Sequence, residues 1–148
     1  MSESLALARL SAQAGARPFG AIVVVDGAVV GRGQDRSATI ADPTEHAEIA
    51  AIREAVASLG LGTLDAATVY ASCEPCMMCA AAILRAGIRN VCFAASRETA
   101  ISTGYVDICR SELTREVLRA ATVRQVLDAA GEKLLRDHPK PQPATPGR

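Results

Sequence analysis

TVYASCEPCMMCAAAILRAGIRNVCFAA (68–95) sets an alanine-rich run between two β-prone ones. TVYAS (68–72) reads as a strand, residues 76–86 as a buried helix that stops before Gly87, and NVCFAA (90–95) as a second strand. A strand, a helix and a strand in that order make a βαβ unit, with parallel strands and a right-handed crossover. The fold class is therefore α/β.

Working upstream, AIVVV (21–25) and AVV (28–30) flank Asp26-Gly27, a pair that closes tight hairpins. Leu5, Leu7, Ala8 and Leu10 precede Gly15, which predicts a short helix over 4–15. Gly31, Gly33 and Pro43 mark 31–43 as a polar loop. From Thr44 to Leu59, the residues Ile49, Ile52, Val56 and Leu59 recur at the steps of one buried helical face. Downstream, a loop around Thr103 to Asp107 leads to a helix over 112–121, a short strand within 122–127 and a last helix over 128–137. The order α-β-β-α-β-α-β-α-β-α predicts one sheet with helices on both faces, its hairpin antiparallel and its later strands parallel. Residues 1–137 read as a single domain. The tail HPKPQPATPGR (138–148) holds four of the seven prolines, and its composition predicts disorder.

With 148 residues, 49% of them apolar, the chain can bury a core of ordinary domain size. Its 16 basic and 16 acidic residues cancel, and aromatics make up 3%. Polynucleotide binders commonly carry a basic excess and stacking aromatics. The balance here points to a small-molecule partner rather than a nucleic acid. The N-terminal stretch has neither the basic start nor the apolar run of a signal peptide, and no segment reaches the ~18 apolar residues of a membrane helix. The expectation is a cytoplasmic protein without membrane contact. Its five cysteines then read as metal ligands, reactive thiols or core residues rather than disulfides.

Two segments carry chemistry. DPTEHAEIAAI (42–52) contains His46-Ala47-Glu48, and SCEPCMMCAAAIL (72–84) contains Cys76 and Cys79 behind Pro75. Each opens a predicted helix. Cys76 and Cys79 lie three apart at a helix start, where the partial positive charge of the N-terminus favours thiolates. Two thiolates and one imidazole suit a tetrahedral zinc with one position open, where a water becomes hydroxide-like near neutral pH. A carboxylate such as Glu48 can then take and deliver protons. Mid-helix, a two-residue spacing would send His46 and Glu48 to different faces, whereas in the first turn both can lean past the helix end. A closed structural Cys₃His site including Cys73 is the alternative, although Cys73 falls at a strand end and suits a core position. Cys92 sits in an apolar strand, Cys109 has no partner at a recognisable spacing, and Met77 and Met78 suit packing.

These motifs, with PFGAIVV (18–24), the GxGQ of 31–34 and DPTxHAEIxAI (42–52), resemble the cytidine deaminase-like superfamily from about Pro18 to Leu127. The similar branch holds guanine deaminases, fungal cytosine deaminase and tRNA adenosine deaminases. The resemblance implies a three-layer α/β/α fold around a mixed five-stranded sheet, commonly in a homodimer. It also implies His46, Cys76 and Cys79 as Zn2+ ligands, Glu48 as catalytic proton shuttle, and backbone contacts to the ring around Ala47 and Cys76. The expected reaction is hydrolytic deamination of a nucleobase or related aminated heterocycle, releasing ammonia.

Guanine is the first candidate substrate, because TGYVD (103–107) resembles a guanine deaminase segment whose Asp, here Asp107, assists proton transfer. A turn-capping loop carboxylate is the other reading of Asp107. Phe19 could line the pocket or pack in the core. The similar families carry an Asn where this chain has Asp35. An ionised Asp only accepts hydrogen bonds, so a substrate edge rich in N–H donors would suit it. An Asp35 held protonated by burial and a solvated loop position are the alternatives. Cytosine or a nucleoside comes second and adenosine in tRNA third. A zinc-stabilised binding module without turnover is the reading from a different class.

Overall fold

The structure, a computed structural model, describes residues 1–60, 64–105 and 111–140. Its elements in chain order are α1 (Ser2–Gln13), β1 (Gly20–Val25), β2 (Ala28–Gln34), α2 (Ala47–Leu59), β3 (Thr68–Cys73), α3 (Met77–Arg85), β4 (Asn90–Ala95), α4 (Arg97–Ser102), α5 (Ser111–Val117), a 3₁₀ turn (Leu118–Ala120), β5 (Thr122–Gln125) and α6 (Asp128–Asp137). The five strands form one mixed sheet in the order β2-β1-β3-β4-β5. β1 runs antiparallel to both β2 and β3, and β3, β4 and β5 are mutually parallel. The hairpin turn places Asp26 at φ 49° and Gly27 at φ 77°, both in the left-handed region that an Asp-Gly pair tolerates.

Side-chain alternation divides the core between the two faces of the sheet. Ala21, Val23, Val69, Ala71, Val91 and Phe93 pack with Ala51 and Ile52 of α2 and Ile83 of α3. On the opposite face Ala94 packs with Leu5 and Ala8 of α1 and Leu134 of α6. This is the α/β/α layering that the resemblance implies.

Three expected boundaries are corrected. Residues 31–34 were expected in a loop, yet β2 continues to Gln34, with Gly31 and Gly33 paired to Val23 and Ala21. The glycines are there for the helix above them. A Cβ on Gly33 would fall 1.9 Å from the Ala47 carbonyl oxygen, and one on Gly31 2.1 Å from that of Ala51. The buried face of α2 is correspondingly the small-residue stripe Ala47, Ala51 and Ala55 with Ile52, while Leu59 is exposed. Large apolar residues could not approach a glycine surface so closely. Second, α2 begins at Ala47 rather than Thr44. Asp42 Oδ1 accepts from the Thr44 amide (2.8 Å) and hydroxyl (2.7 Å), making a turn that holds the chain out of the helix until His46. Third, α4 was not expected. Ser96 caps it by accepting from the Thr99 amide.

The tail, expected to be disordered, is described as far as Lys140. The His138 carbonyl accepts from the Tyr105 hydroxyl (2.7 Å), and the Lys140 amide donates to the Thr103 carbonyl (3.0 Å). Among the described residues, no helix is long and apolar enough to cross a membrane.

Candidate active site

Two helix starts converge beside β3. His46 is the N-cap residue of α2 and Cys76 that of α3, both with extended backbone (φ −77°, ψ 158° and φ −72°, ψ 169°). An N-cap side chain commonly folds back onto the helix amides. Neither does so here, and both turn toward each other. His46 Nδ1 lies 3.6 Å from each of the Cys76 and Cys79 sulfurs, which are 3.5 Å apart. These three side chains form a group able to hold a metal ion. Cys73 is outside it: its thiol is buried and donates to the Ser96 carbonyl (3.8 Å).

Glu48 sits in the first turn of α2, is buried, and lines a cavity together with His46 and Cys76. The first-turn position reconciles the two-residue spacing from His46 with a shared target. Burial pushes the Glu48 carboxyl up to about 7, the neighbouring Cys76 charge adds to the shift, and His46 opposes it. Cys76 is held down to about 4, chiefly by the hydrogen bond from Cys79 and also by that from His46. Cys79 is driven upward by that same pairing and by burial. His46 is raised, first by its bond to Cys76. Two sulfurs this close hold a single negative charge between them, and a cation is what allows the second.

The cavity is lined by His46, Glu48, Cys73 and Cys76, by Asp35 at the end of β2, and by Phe19. Asp35 is fully buried. Phe19 stacks edge-on against Tyr105 at a centroid distance of 5.1 Å, which makes the pair one wall of the cavity. Ala47 is buried in the core beneath β2. Asp107 and Cys109 lie outside the described residues.

The structure adds Arg17, Glu74, Arg97, Ala100 and Tyr105 to the lining, none of which had been singled out. Arg97, the first residue of α4, donates through Nη2 to the Glu74 carbonyl (3.2 Å) and to that of Pro75, and its amide donates to Glu74 Oε2 (3.1 Å). The Glu74 amide in turn donates to the Ala95 carbonyl (2.8 Å). The two residues ahead of Cys76 are thus clamped from α4 and β4. A Ser-x-x-Thr capping pattern with Glu98 in the first turn was the local signal for α4. For Arg17 there was none.

Comparison with known proteins places this geometry. The sequence profile of the MafB19-like deaminases matches residues 1–130. A guanine deaminase of Bacillus subtilis is 42% identical over 109 residues, 74% of this chain and 68% of that protein. A tRNA-specific adenosine deaminase of Agrobacterium fabrum is 43% identical over 95 residues, 64% of this chain and 62% of that one. A solved structure of a guanine deaminase from Nitrosomonas europaea superposes with a TM-score of 0.84 at 29% identity, covering 93% of this chain and 81% of that one.

Proposed function

The chain belongs to the MafB19-like deaminase family, and from that premise we propose that it is a zinc-dependent hydrolytic deaminase of a free nucleobase or related aminated heterocycle, with guanine the first substrate to test. One observation carries the reading: the starts of α2 and α3 bring an imidazole and two thiols together with a buried carboxyl alongside.

A tetrahedral zinc, with bonds of about 2.3 Å to sulfur and 2.0 Å to nitrogen, sets its ligands roughly 3.5–3.8 Å apart. The separations of 3.5 and 3.6 Å among Cys76, Cys79 and His46 fit it. Held there, zinc would acidify a water to serve as nucleophile and would neutralise the second thiolate.

The chain's own residues then do the proton work. Glu48, with a carboxyl near 7, can take a proton from the water at neutral pH and return it. It delivers that proton to the ring nitrogen beside the reacting carbon, then takes the second water proton from the hydroxyl newly bound to carbon and passes it to the departing amine. Water oxygen replaces the amine on carbon, and ammonia leaves. Phe19 and Tyr105 offer an apolar wall to a flat ring. Asp107, as a second proton-transfer group, and the backbone of Ala47, as a ring contact, belong to the same proposal. So do a homodimer, a single domain over 1–137 and a cytoplasmic location.

A second reading, deamination of adenosine in tRNA, is favoured by the similarity to the Agrobacterium protein. The zero net charge and the two Phe and two Tyr of the whole chain weigh against it. Ammonia release from the zinc-loaded protein, measured with guanine, cytosine, isocytosine, adenine, their nucleosides and a tRNA anticodon hairpin, decides between them. Glu48→Ala should keep the zinc and lose turnover by at least about a hundredfold. Full turnover in that variant overturns the mechanism.

A further inference from the structure

Asp35 is held in place from several sides. Its amide donates to the Phe19 carbonyl (3.0 Å) and its carbonyl accepts from the Ser11 hydroxyl (3.0 Å). Its side chain is used unevenly. Oδ1 accepts from both the amide (3.0 Å) and the hydroxyl (2.6 Å) of Ser37. Oδ2 is buried and has no hydrogen-bond partner among the described residues. A turn-forming Asp on the surface would leave that oxygen to water, whereas Asp35 is fully buried on the wall of the cavity that His46 and Glu48 share.

An unmet acceptor in a buried site is costly, and such an atom in a folded protein calls for a missing partner. Two donors of the cavity wall are committed elsewhere. The Tyr105 hydroxyl goes to the His138 carbonyl, and Nη2 of Arg97 goes to the Glu74 and Pro75 carbonyls. A carboxylate accepts and does not donate. We infer that Asp35 selects the substrate: the ring must present an amino or N–H group to Oδ2, so amino-rich heterocycles are taken in preference to those offering a carbonyl or bare ring nitrogen there. This rests on the deaminase reading and narrows it to rings that carry a second donor besides the amine that is lost.

The ring's orientation drops out of the test if the probe is threefold symmetric. In 2,4,6-triamino-1,3,5-triazine, every edge that can face Asp35 carries an amine once one amine faces the metal group. In 2-amino-1,3,5-triazine no such edge does. Binding of both rings is measured by calorimetry on zinc-loaded Glu48→Ala protein, with and without Asp35→Asn. Hydrogen bonds to a charged group predict that the triamino ring binds about ten- to a hundredfold more tightly. In Asp35→Asn, which keeps an acceptor for Ser37, the gap should narrow by about tenfold. Failure of the triamino ring to bind, equal affinity for the two rings, or a gap unaltered by Asp35→Asn overturns the inference. If the protein carrying Asp35→Asn does not fold, the pair of affinities with Asp35 intact decides alone. Because binding is read without turnover, an Asp35-dependent gap, found where the parent protein with Glu48 deaminates nothing, would sink the deaminase reading and leave only the Asp35 donor contact standing.

Discussion

Gly33→Ala tests the link between the sheet and α2, the helix that carries Glu48 and starts behind His46. The new Cβ would sit 1.9 Å from the Ala47 carbonyl oxygen and 2.6 Å from the Ala51 amide nitrogen, both backbone atoms of α2. Neither can rotate away, so relief means moving the start of α2. Restoring even a tight 3.0 Å contact needs a displacement of roughly 1 Å, and overpacking of this kind costs about 1–3 kcal/mol. For a chain of this size that is a fall in Tm of roughly 3–10 °C. The displaced segment carries His46 and Glu48, and a 1 Å misplacement of reacting groups costs about a hundredfold in rate. Gly31→Ala is the control. Its Cβ would strike Ala51 and Ala55, farther along the helix, at 2.1 and 2.8 Å. It should lose similar stability and much less kcat/KM. Thermal denaturation followed by circular dichroism gives the first quantity, and ammonia release with the preferred base gives the second. A Gly33→Ala protein with parental Tm and kcat/KM would refute the reasoning, as would a Gly31→Ala protein equally impaired in turnover.

Three further outcomes are expected. Chelating the metal should lower Tm on the order of 10 °C if zinc is present at about a thousand times its dissociation constant, and zinc should restore it; an unmoved Tm would show that His46, Cys76 and Cys79 hold nothing. In metal-free protein, iodoacetamide should label Cys76 at nearly the same rate at pH 8 and pH 6, because its thiol lies near 4 and stays ionised across that window. An ordinary thiol slows roughly tenfold per unit there, so a parallel slowing at Cys76, or labelling undiminished by zinc, would contradict the site. Ser96→Ala removes the cap of α4 and should cost about 1 kcal/mol in chemical denaturation. Unchanged stability would mean that the clamp on Cys76 does not depend on how α4 begins.

Much of this fold was legible because its signals are local. The Asp26-Gly27 turn, the alternation of β1 and the βαβ run each span a few residues, and each appears where its pattern puts it. The clustering of His46, Cys76 and Cys79 was legible for the same reason, since a CxxC at one helix start and an HxE at another need only two turns to be correctly placed. What escaped depends on distant partners. Gly31 and Gly33 read as loop because glycine weakens a strand, and the reason for them lies some twenty residues away in α2. The apolar stripe Ile49–Leu59 outweighed the alanines in any hydropathy reading, yet the glycine surface opposite chose the alanines. Arg17, Arg97 and Tyr105 reach the cavity only once the sheet has assembled. Asp35 was legible as a residue with the wrong chemistry for a carbonyl, but its divided carboxylate was not.

The two caps that bring His46 and Cys76 together have a cost for folding. His46 and Cys76 occupy the positions where Ser, Thr, Asp or Asn would stabilise a helix by about 0.5–2 kcal/mol each, and neither makes a capping bond. Total stabilities are only about 5–15 kcal/mol, so two uncapped helices are a noticeable concession. Selection for thermal robustness alone would replace both residues and break up the cluster of His46, Cys76 and Cys79. Directed evolution for stability should therefore find its gains elsewhere in the chain, and hydrogen exchange in the metal-free protein should be fastest, among the amides of α2 and α3, in the first turns behind those caps.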